Sequence, residues 1–322
     1  MGRRFSLTIG AYEKRENGRT MGFFEDAVAA GRGAVGTAQR AAAKAGALHL
    51  DFVAEFVALA RRCAERGWHE ANGGNGSLWL TERQRAALAP FLGARPTEWT
   101  MLEQPVPGLA SEQVLVTAAG CRMDELARKG AGCLGVVELD ISGSAWRPVF
   151  GFEENARPTS ELNGHLLVLE ARGKATGGES RLVYHCHPAE MVAYGKMAGP
   201  SAEAITEGLW RAMTETVMYV PEGVGYVGPL VPGSLELARA SAEAAAVYSC
   251  TVWASHGLMA TGATAEEAFR RMEVLVKAAS IWLACRSAGM GAQDYRASVP
   301  DEVLEGICEK LGLPFNRALL GR

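Results

Sequence analysis

The sequence predicts an α/β or α+β sandwich in which helices cover a single sheet. Short apolar runs of strand length alternate along the chain with longer segments of helical periodicity. The 322 residues, of which 48% are hydrophobic and 21% charged, suffice for one large core or two modest ones. The chain contains no internal repeat, so we expect these segments to pack around one sheet.

The N-terminal residues 1–48 differ from the rest of the chain. They are basic, rich in alanine and glycine, and weakly patterned. We predict a weakly structured or helical extension here and a single domain over residues 49–322. Met21 is a second candidate start, because a segment with helical character follows it. The opening letters MGRRFS match a myristoylation pattern, but no hydrophobic segment follows the arginines, so we expect no secretory signal.

Residues 51–68 begin the strongly patterned part of the chain. Their apolar stripe is typical of an amphipathic helix and is formed by Phe52, Phe56, Leu59 and Cys63. Residues 81–113 are rich in proline, and we predict an irregular surface excursion for them.

Strands and helices then alternate. Predicted strands cover residues 78–80, 114–120, 134–140, 146–152, 181–187 and 250–257. Predicted helices cover residues 158–174, 202–220, 234–249 and 264–289, with Thr159 or Ser160 as N-cap of the first. Residues 223–233 are predicted to be a turn-rich connector.

Composition limits the partners of the protein. The formal net charge of −3 gives no reason to expect nucleic acid or a membrane surface. No apolar run approaches the roughly 18 to 20 residues that cross a bilayer. The seven cysteines are scattered, with no C-x-x-C and no paired spacing. Their pattern argues against a disulfide framework and for a reducing cytoplasm.

Two histidines, His185 and His187, end the apolar run RLVYHCH. Alternate side chains of a strand share a face, so both imidazoles point one way and Cys186 points the other. Two imidazoles at this spacing can chelate one ion. Polar residues at a strand end explain an isolated His-x-His equally well.

His256 favours the metal hypothesis. It ends a second apolar run, in which Val252, Ala254 and His256 share a face and Gly257 terminates the strand. Three neutral imidazoles with an open position form a catalytic zinc arrangement, whereas structural zinc sites favour cysteine. A fourth histidine, His165, is predicted to be a helix-packing residue rather than a ligand.

Two glutamates are candidates for proton transfer, and the pattern leaves the role of each open. Glu161 begins the helix after PTS, where the helix dipole favours an acid and where a general base beside a metal would also fit. Glu215 lies among apolar residues of a predicted helix and is either a structural acid or a second proton-transfer group.

The segment NGGNGS (residues 72–77) joins a helix to a strand. Its glycines and amides can point several N–H groups at a phosphate. A plain turn fits as well, because Asn-Gly is a common turn dipeptide. The segment is neither a Walker loop nor a dinucleotide fingerprint.

Five segments taken together resemble one known family. ERGWHEANGGNGSLWL, PTSEL, YHCHPAEMVA, LWRAMTETVMYVPEGVGYVGPLVPGS and WASHGLMATGATAEEAF occur in this order. They are similar to the class II aldolase/adducin family, and within it to bacterial rhamnulose-1-phosphate aldolases, from about residue 50 to nearly the C-terminus. The resemblance implies a single α/β/α domain around a mostly antiparallel sheet. It also implies a homotetramer with active sites at subunit interfaces and one Zn²⁺ per subunit.

The same resemblance implies a reaction and a set of residues. The reaction is the reversible cleavage of L-rhamnulose 1-phosphate to dihydroxyacetone phosphate and L-lactaldehyde, in rhamnose metabolism. His185, His187 and His256 match the zinc ligands. Glu161 matches the catalytic acid/base, and Glu215 a glutamate that reaches the site of a neighbouring subunit. The positions that match phosphate or substrate binding are Asn72, Gly74, Asn75, Thr117, Gly120, Thr159 and Ser160.

One segment departs from the family pattern. Where Gly-Ser-Gly-Lys usually follows the strand threonine, this chain has TAAGCR, so Ala119 offers no hydroxyl and Cys121 no ammonium. Losing one hydrogen bond to a charged group costs roughly 1.5–3 kcal/mol, so we expect weakened phosphate binding. Arg122 would point to the other face if the strand continued.

Three alternative functions therefore stay open. The first is a related aldolase or epimerase that acts on a different sugar, phosphorylated or unphosphorylated. The second is a non-catalytic adducin-like module, against which the histidines and Glu161 argue. The third is a simple zinc hydrolase.

Overall fold

The computed structural model describes residues 46–92, 98–153, 156–291, 294 and 298–320. The extension at residues 1–48 and the alternative start at Met21 fall almost wholly outside these residues and stay predictions. Leu48–Arg322 forms one compact unit. None of the helices in the described part of the chain combines the length and the apolarity needed to span a bilayer.

One sheet organises the unit. Within the described residues it has nine strands, in the order β2-β5-β4-β3-β1-β6-β9-β8-β7. Neighbouring strands are antiparallel except β7 and β8, which are parallel. The bounds are β1 Asn75–Trp79, β2 Thr100–Met101, β3 Gln113–Thr117, β4 Leu134–Leu139, β5 Ala145–Gly151, β6 Leu182–Cys186, β7 Val224–Val227, β8 Cys250–Trp253 and β9 Gly257–Gly262. The predicted α/β sandwich with a mostly antiparallel sheet is confirmed.

Helices cover both faces of this sheet. In chain order they are α1 Asp51–Glu65, α2 Glu82–Leu88, α3 Leu126–Lys129, α4 Leu162–Ala175, α5 Ala189–Ala198, α6 Ala202–Ala212, α7 Glu215–Tyr219, α8 Leu235–Ala245, α9 Ala265–Ser287 and α10 Asp301–Leu311. Helices α4 and α8 pack on each other over one face, whereas α1, α5, α6 and α9 lie over the other.

The alternation of β1 shows how the two layers attach. Gly76 faces α1, because a Cβ built there would lie 2.6 Å from the Tyr184 ring and 3.0 Å from Phe56. The next residue, Ser77, faces α4, and its Oγ lies 2.8 Å from Nδ1 of His165. The predicted stripe of α1 is buried at all four positions, and each large apolar side chain so buried contributes about 1.5–3 kcal/mol.

Two predicted irregular segments contain regular structure. The excursion at residues 81–113 includes α2, which begins with a capping box between Thr81 and Gln84. The connector at residues 223–233 includes β7, whose glycines obscure its pattern and which depends on pairing with β8. The helix predicted over residues 202–220 divides into α6 and α7, because Met213 takes an extended conformation, with φ −158° and ψ 130°.

The strand predicted over residues 250–257 is too long. β8 ends at Trp253, and a turn follows in which Ser255 takes a positive φ of 59°. Gly257 begins β9 instead of terminating a strand. The prediction that His256 shares a strand face with Val252 is therefore wrong, because His256 lies in the tight turn between two antiparallel strands.

One cysteine pair departs from the expectation of unpaired thiols. Cys121 and Cys133 form a disulfide across the turn after β3, with Cα atoms 5.5 Å apart. The other five cysteines are free. A single disulfide is not the framework that stabilises small secreted domains, and a cytoplasmic location stays a prediction.

Candidate metal centre and active-site cavity

The ends of two neighbouring strands bring three histidines together. His185 lies in β6, and His187 is the first residue after that strand. His256 lies in the turn that leads into β9, the antiparallel neighbour of β6. Nε2 of His185 lies 2.9 Å from Nε2 of His187 and 3.3 Å from Nε2 of His256. Cys186 points to the opposite face, where its Sγ meets Met272, as strand alternation predicts.

The other ring nitrogens of two of these histidines are occupied. Nδ1 of His185 donates to the carbonyl oxygen of Leu258 at 3.1 Å. Nδ1 of His187 lies 2.6 Å from Oε1 of Glu70. These partners assign the N–H to Nδ1, so the Nε2 lone pairs face one another. Such lone pairs repel unless a cation lies between them.

This donor set fits zinc. In a tetrahedral site with Zn–N distances of about 2.0–2.1 Å, neighbouring nitrogens lie about 3.3 Å apart, close to the separations seen here. The ligand-capable atoms of all three residues lie within 4.8 Å of one another. A carboxylate or a carbonyl behind a ligating imidazole is the usual second partner in zinc sites.

The environment disfavours the charged forms of His185 and His256. Burial, followed by the nearby His187, lowers the pKa of His256 to about 4. Burial and the two neighbouring imidazoles lower the pKa of His185 well below its usual value. Neutral imidazoles are the form that binds a metal ion.

Glu161 is held at the inner wall of the same cavity. It is only 9% exposed and precedes α4 at the N-cap position, so the prediction of Thr159 or Ser160 as N-cap is wrong. Burial raises the pKa of its carboxyl, and the hydrogen bond from Asn75 opposes that rise. Nδ2 of Asn75 lies 3.0 Å from Oε2 of Glu161 and 3.2 Å from Oγ1 of Thr159. A buried carboxyl with a raised pKa is typical of a proton-transfer group.

The Asn-Gly segment packs directly against the histidines. Gly74 has a φ of 78°, and a Cβ there would lie 2.3 Å from the His69 ring and 2.8 Å from the backbone oxygen of His185. A Cβ on Gly73 would lie 2.8 Å from Nδ1 of His187. Gly74 is therefore required by its backbone conformation and by close approach, and Gly73 by close approach.

A cavity of about 210 Å³ joins these groups. Its lining residues are Asn72, Gly73, Gly74, Asn75, Ala118, Ala119, Gly120, Thr159, Ser160, Glu161, His185, His187 and His256. Most of the predicted site residues are among them. The cavity thus combines a three-nitrogen donor set, a buried carboxyl and a loop of amides.

Two predicted site residues lie elsewhere. Thr117 is fully buried beneath the cavity, and its Oγ1 accepts a hydrogen bond from the backbone N–H of Gly76 at 3.2 Å. It holds the Asn-Gly segment to β3. Glu215 is exposed at the start of α7, where Oγ1 of Thr214 donates to it at 2.9 Å. Its predicted role in a neighbouring subunit stays a prediction.

Sequence reasoning missed Glu70. The residue is exposed in the loop after α1, and a single acid in a loop forms no pattern from which a contact to His187 could be inferred. Its position two residues before NGGNGS was the available signal. His165, predicted to be a packing residue, is indeed buried and bonded to Ser77.

The positive charge of Arg122, in the turn after β3, is balanced by a neighbouring acid. β3 ends at Thr117, so Arg122 is not part of a continued strand. The guanidinium of Arg122 bonds to both carboxylate oxygens of Asp124, at 3.1 and 2.8 Å. Arg122 therefore does not replace an ammonium at position 121.

Comparisons with known proteins place this geometry in context. Residues 54–283 match the family described as Class II Aldolase and Adducin N-terminal domain. The rhamnulose-1-phosphate aldolase of Klebsiella pneumoniae is 34% identical over 224 residues, which cover 70% of this chain and 81% of that protein. The enzyme of the same name from Salmonella heidelberg is also 34% identical over the same shares.

Solved structures agree on the fold. A sugar-phosphate aldolase from Thermotoga maritima is similar with a TM-score of 0.62 and 27% identity, covering 74% of this chain and 95% of that one. An L-fuculose 1-phosphate aldolase has a TM-score of 0.54 and 18% identity, covering 82% of this chain and 97% of that one, a likeness that shows the fold alone.

Proposed function

Because the chain belongs to the class II aldolase and adducin family, we propose that it catalyses the zinc-dependent, reversible cleavage of L-rhamnulose 1-phosphate. The products are dihydroxyacetone phosphate and L-lactaldehyde. The chain is an enzyme of the lyase class, as its aldolase relatives indicate. The observation that carries the proposal is the convergence of three imidazole nitrogens in one cavity with the buried carboxyl of Glu161.

The histidines would hold one zinc ion per subunit. His185, His187 and His256 offer ring nitrogens, and the Nδ1 contacts of His185 to Leu258 and of His187 to Glu70 keep those two rings oriented. Zinc bound there would supply a Lewis acid beside the substrate carbonyl and its neighbouring hydroxyl.

Glu161 would move the proton of the reaction. Cleavage breaks the C3–C4 bond of the ketose. The C4 hydroxyl loses its proton as C4 becomes the aldehyde carbon of L-lactaldehyde, and C3 keeps the electron pair and then gains a proton to give dihydroxyacetone phosphate. A carboxyl whose pKa is raised by burial can donate that proton, and its carboxylate can remove it again in the aldol direction. Asn75 positions the carboxyl by donating to Oε2.

The partners follow from the same proposal. The substrate is a small sugar phosphate, and neither nucleic acid nor a membrane is involved. We propose a homotetramer with active sites at subunit interfaces, in which Glu215 serves the site of a neighbouring subunit. The exposure of Glu215 in the single chain supports this role. Light scattering of the purified protein tests the assembly.

Replacement of Glu161 tests the proton-transfer role. Glu161→Gln keeps the shape of the side chain and an oxygen for Asn75 but cannot transfer a proton. We expect kcat to fall by about 10²–10⁴-fold, with zinc content unchanged by metal analysis. Near wild-type kcat in this variant would show that Glu161 does not transfer the proton.

The substrate is tested by measuring release of dihydroxyacetone phosphate. The coupled assay compares the 1-phosphates of L-rhamnulose, L-fuculose and L-ribulose, with zinc measured in the same preparation. We expect the highest kcat/KM for L-rhamnulose 1-phosphate. No release from any of the three would contradict the aldolase proposal, and absence of stoichiometric zinc would favour a non-catalytic adducin-like module.

A further inference from the structure

We propose that Arg157 supplies the positive charge that binds the substrate phosphate and so selects phosphorylated sugars. This inference rests on the proposed function, because it concerns the phosphate of that substrate. The residues that line the cavity include no lysine or arginine that could bind this phosphate.

The cavity lining is not cationic. None of the thirteen lining residues is a lysine or an arginine. Glu161 adds an acidic side chain to this lining. A phosphate monoester carries about −1.5 to −2 charges at pH 7. A guanidinium just outside the lining would add positive charge for the phosphate, beyond the charge that the proposed zinc would bring at the histidines.

The backbone places Arg157 beside the turn that lines the cavity. The N–H of Ala119 donates to the carbonyl oxygen of Arg157 at 2.8 Å, and the N–H of Thr159 donates to the carbonyl oxygen of Thr117 at 3.0 Å. Between these bonds, Ala118 and Pro158 form an antiparallel bridge. Residues 157–159 thus run beside residues 117–119 as a short extra strand.

Strand alternation then gives the direction of the Arg157 side chain. Alternate residues of an extended segment share a face, so Arg157 lies on the face of Thr159. Thr159 lines the cavity and shares Asn75 with Glu161. The Arg157 side chain therefore leaves the backbone at the cavity rim, on the side of the amide loop.

Arg157 is also available to bind an anion. It is exposed, and no ion pair involving it occurs among the described residues. The arginine on the other side of the turn, Arg122, is engaged with Asp124. A planar guanidinium binds phosphate through two parallel hydrogen bonds, which makes it a strong partner for this group.

The test compares Arg157→Gln with a matched control. Arg122→Gln also removes one positive charge, but from the neighbouring turn and from an arginine paired with Asp124. Affinity for inorganic phosphate is measured by calorimetry, and KM and kcat are measured for the phosphorylated ketose. We expect Arg157→Gln to weaken phosphate affinity and to raise KM by about 10-fold or more. The change in kcat should be smaller, and Arg157→Lys should recover part of the affinity.

The control and an uncharged ligand exclude a general structural effect. Arg122→Gln should change phosphate affinity less than about twofold, because its charge is already balanced. Binding of unphosphorylated dihydroxyacetone should be equal in wild type and Arg157→Gln. Equal phosphate affinity in wild type and Arg157→Gln would overturn the inference, as would equal losses in the two glutamine variants.

Failure of this inference is distinguishable from failure of the proposed function. Phosphate binding is measured without turnover, so it reports on Arg157 even if another sugar is the substrate. A wild-type enzyme that cleaves L-rhamnulose 1-phosphate with unaltered KM in Arg157→Gln would overturn only the inference. A wild-type protein that binds no inorganic phosphate would overturn it as well.

Discussion

Glu70 touches the candidate metal centre through a single contact, to His187. Its Oε1 lies 2.6 Å from Nδ1 of His187, while the carboxylate itself is mostly in solvent. A contact to a carboxylate this exposed contributes little to folding. Its effect is to hold the His187 ring and to fix the N–H on Nδ1, which leaves Nε2 free to bind zinc.

Removal of this carboxylate should therefore weaken metal binding more than stability. We expect Glu70→Ala to lower zinc affinity by about 10–100-fold, measured by competition with a chelator. At saturating zinc, kcat should recover most of its wild-type value. Glu55→Ala serves as control, because Glu55 is an exposed acid on α1. Equal zinc affinity of the Glu70 and Glu55 variants would contradict the orienting role.

At the scale of elements, the loop between α1 and β1 depends on its glycines. Gly74 combines a positive φ with contact to the His69 ring and to the backbone oxygen of His185. Gly67, at the end of α1, has a similar φ of 70° but no atom within 4 Å of a built Cβ. Alanine at position 67 would introduce backbone strain alone, whereas alanine at position 74 would introduce both backbone strain and steric conflict.

This pair gives a direct prediction. Gly67→Ala should cost about 1–2 kcal/mol of unfolding free energy, the penalty for a left-handed alanine. Gly74→Ala should cost more and should also lower zinc content, because the added methyl group displaces the backbone that carries His185. Urea unfolding and metal analysis measure the two effects. Equal costs and unchanged zinc in both variants would show that the close approach is relieved elsewhere.

Local pattern explains which elements could be predicted. Helices α1 and α9 and strand β4 carry regular apolar periodicity, and the structure has them within a few residues of the predicted bounds. β7 has glycine inside it and depends on a parallel partner more than twenty residues later in the chain. The break at Met213 and the turn at Ser255 are backbone conformations that apolar periodicity does not encode.

In the candidate site, too, local features could be predicted from the sequence, whereas contacts between distant segments could not. Strand alternation predicts that His185 and Cys186 point to opposite faces, because this alternation depends only on neighbouring residues. The grouping with His256 depends on the pairing of β6 with β9, which the sequence alone did not reveal. Glu70 and Arg157 lie in loops, where no periodicity points a side chain at the cavity.

For the whole molecule, burial of neutral histidines couples stability to pH. His165 is 1% exposed, and burial lowers its pKa to about 3. In the unfolded chain its pKa is near 6.5. Between these values the unfolded state binds more protons than the folded state, so stability falls as pH falls. The contribution is fully present above about pH 6.5 and is lost progressively toward pH 3.

Replacement of His165 should flatten this dependence. Between pH 6.5 and pH 5, the histidine accounts for a loss of about 2 kcal/mol in wild type. His165→Gln is expected to be less stable at neutral pH, since the bond to Ser77 is disturbed, but to lose about 2 kcal/mol less on acidification. Urea unfolding at both pH values measures the difference. Parallel curves for the two proteins would contradict the assignment.

The strand order determines when the parts of the candidate site become available during synthesis of the chain. β1 leaves the ribosome before both of its neighbours, since β3 begins 38 residues later and β6 follows 107 residues after β1 begins. His256 is 71 residues further along than His185. At roughly 5–20 residues per second of synthesis, the first partner arrives within about 2–8 s, whereas the third imidazole follows β1 by about 10–40 s. The three-histidine set is therefore complete only after residue 256 has been synthesised, so the proposed metal binding follows the synthesis of β1, β3 and β6.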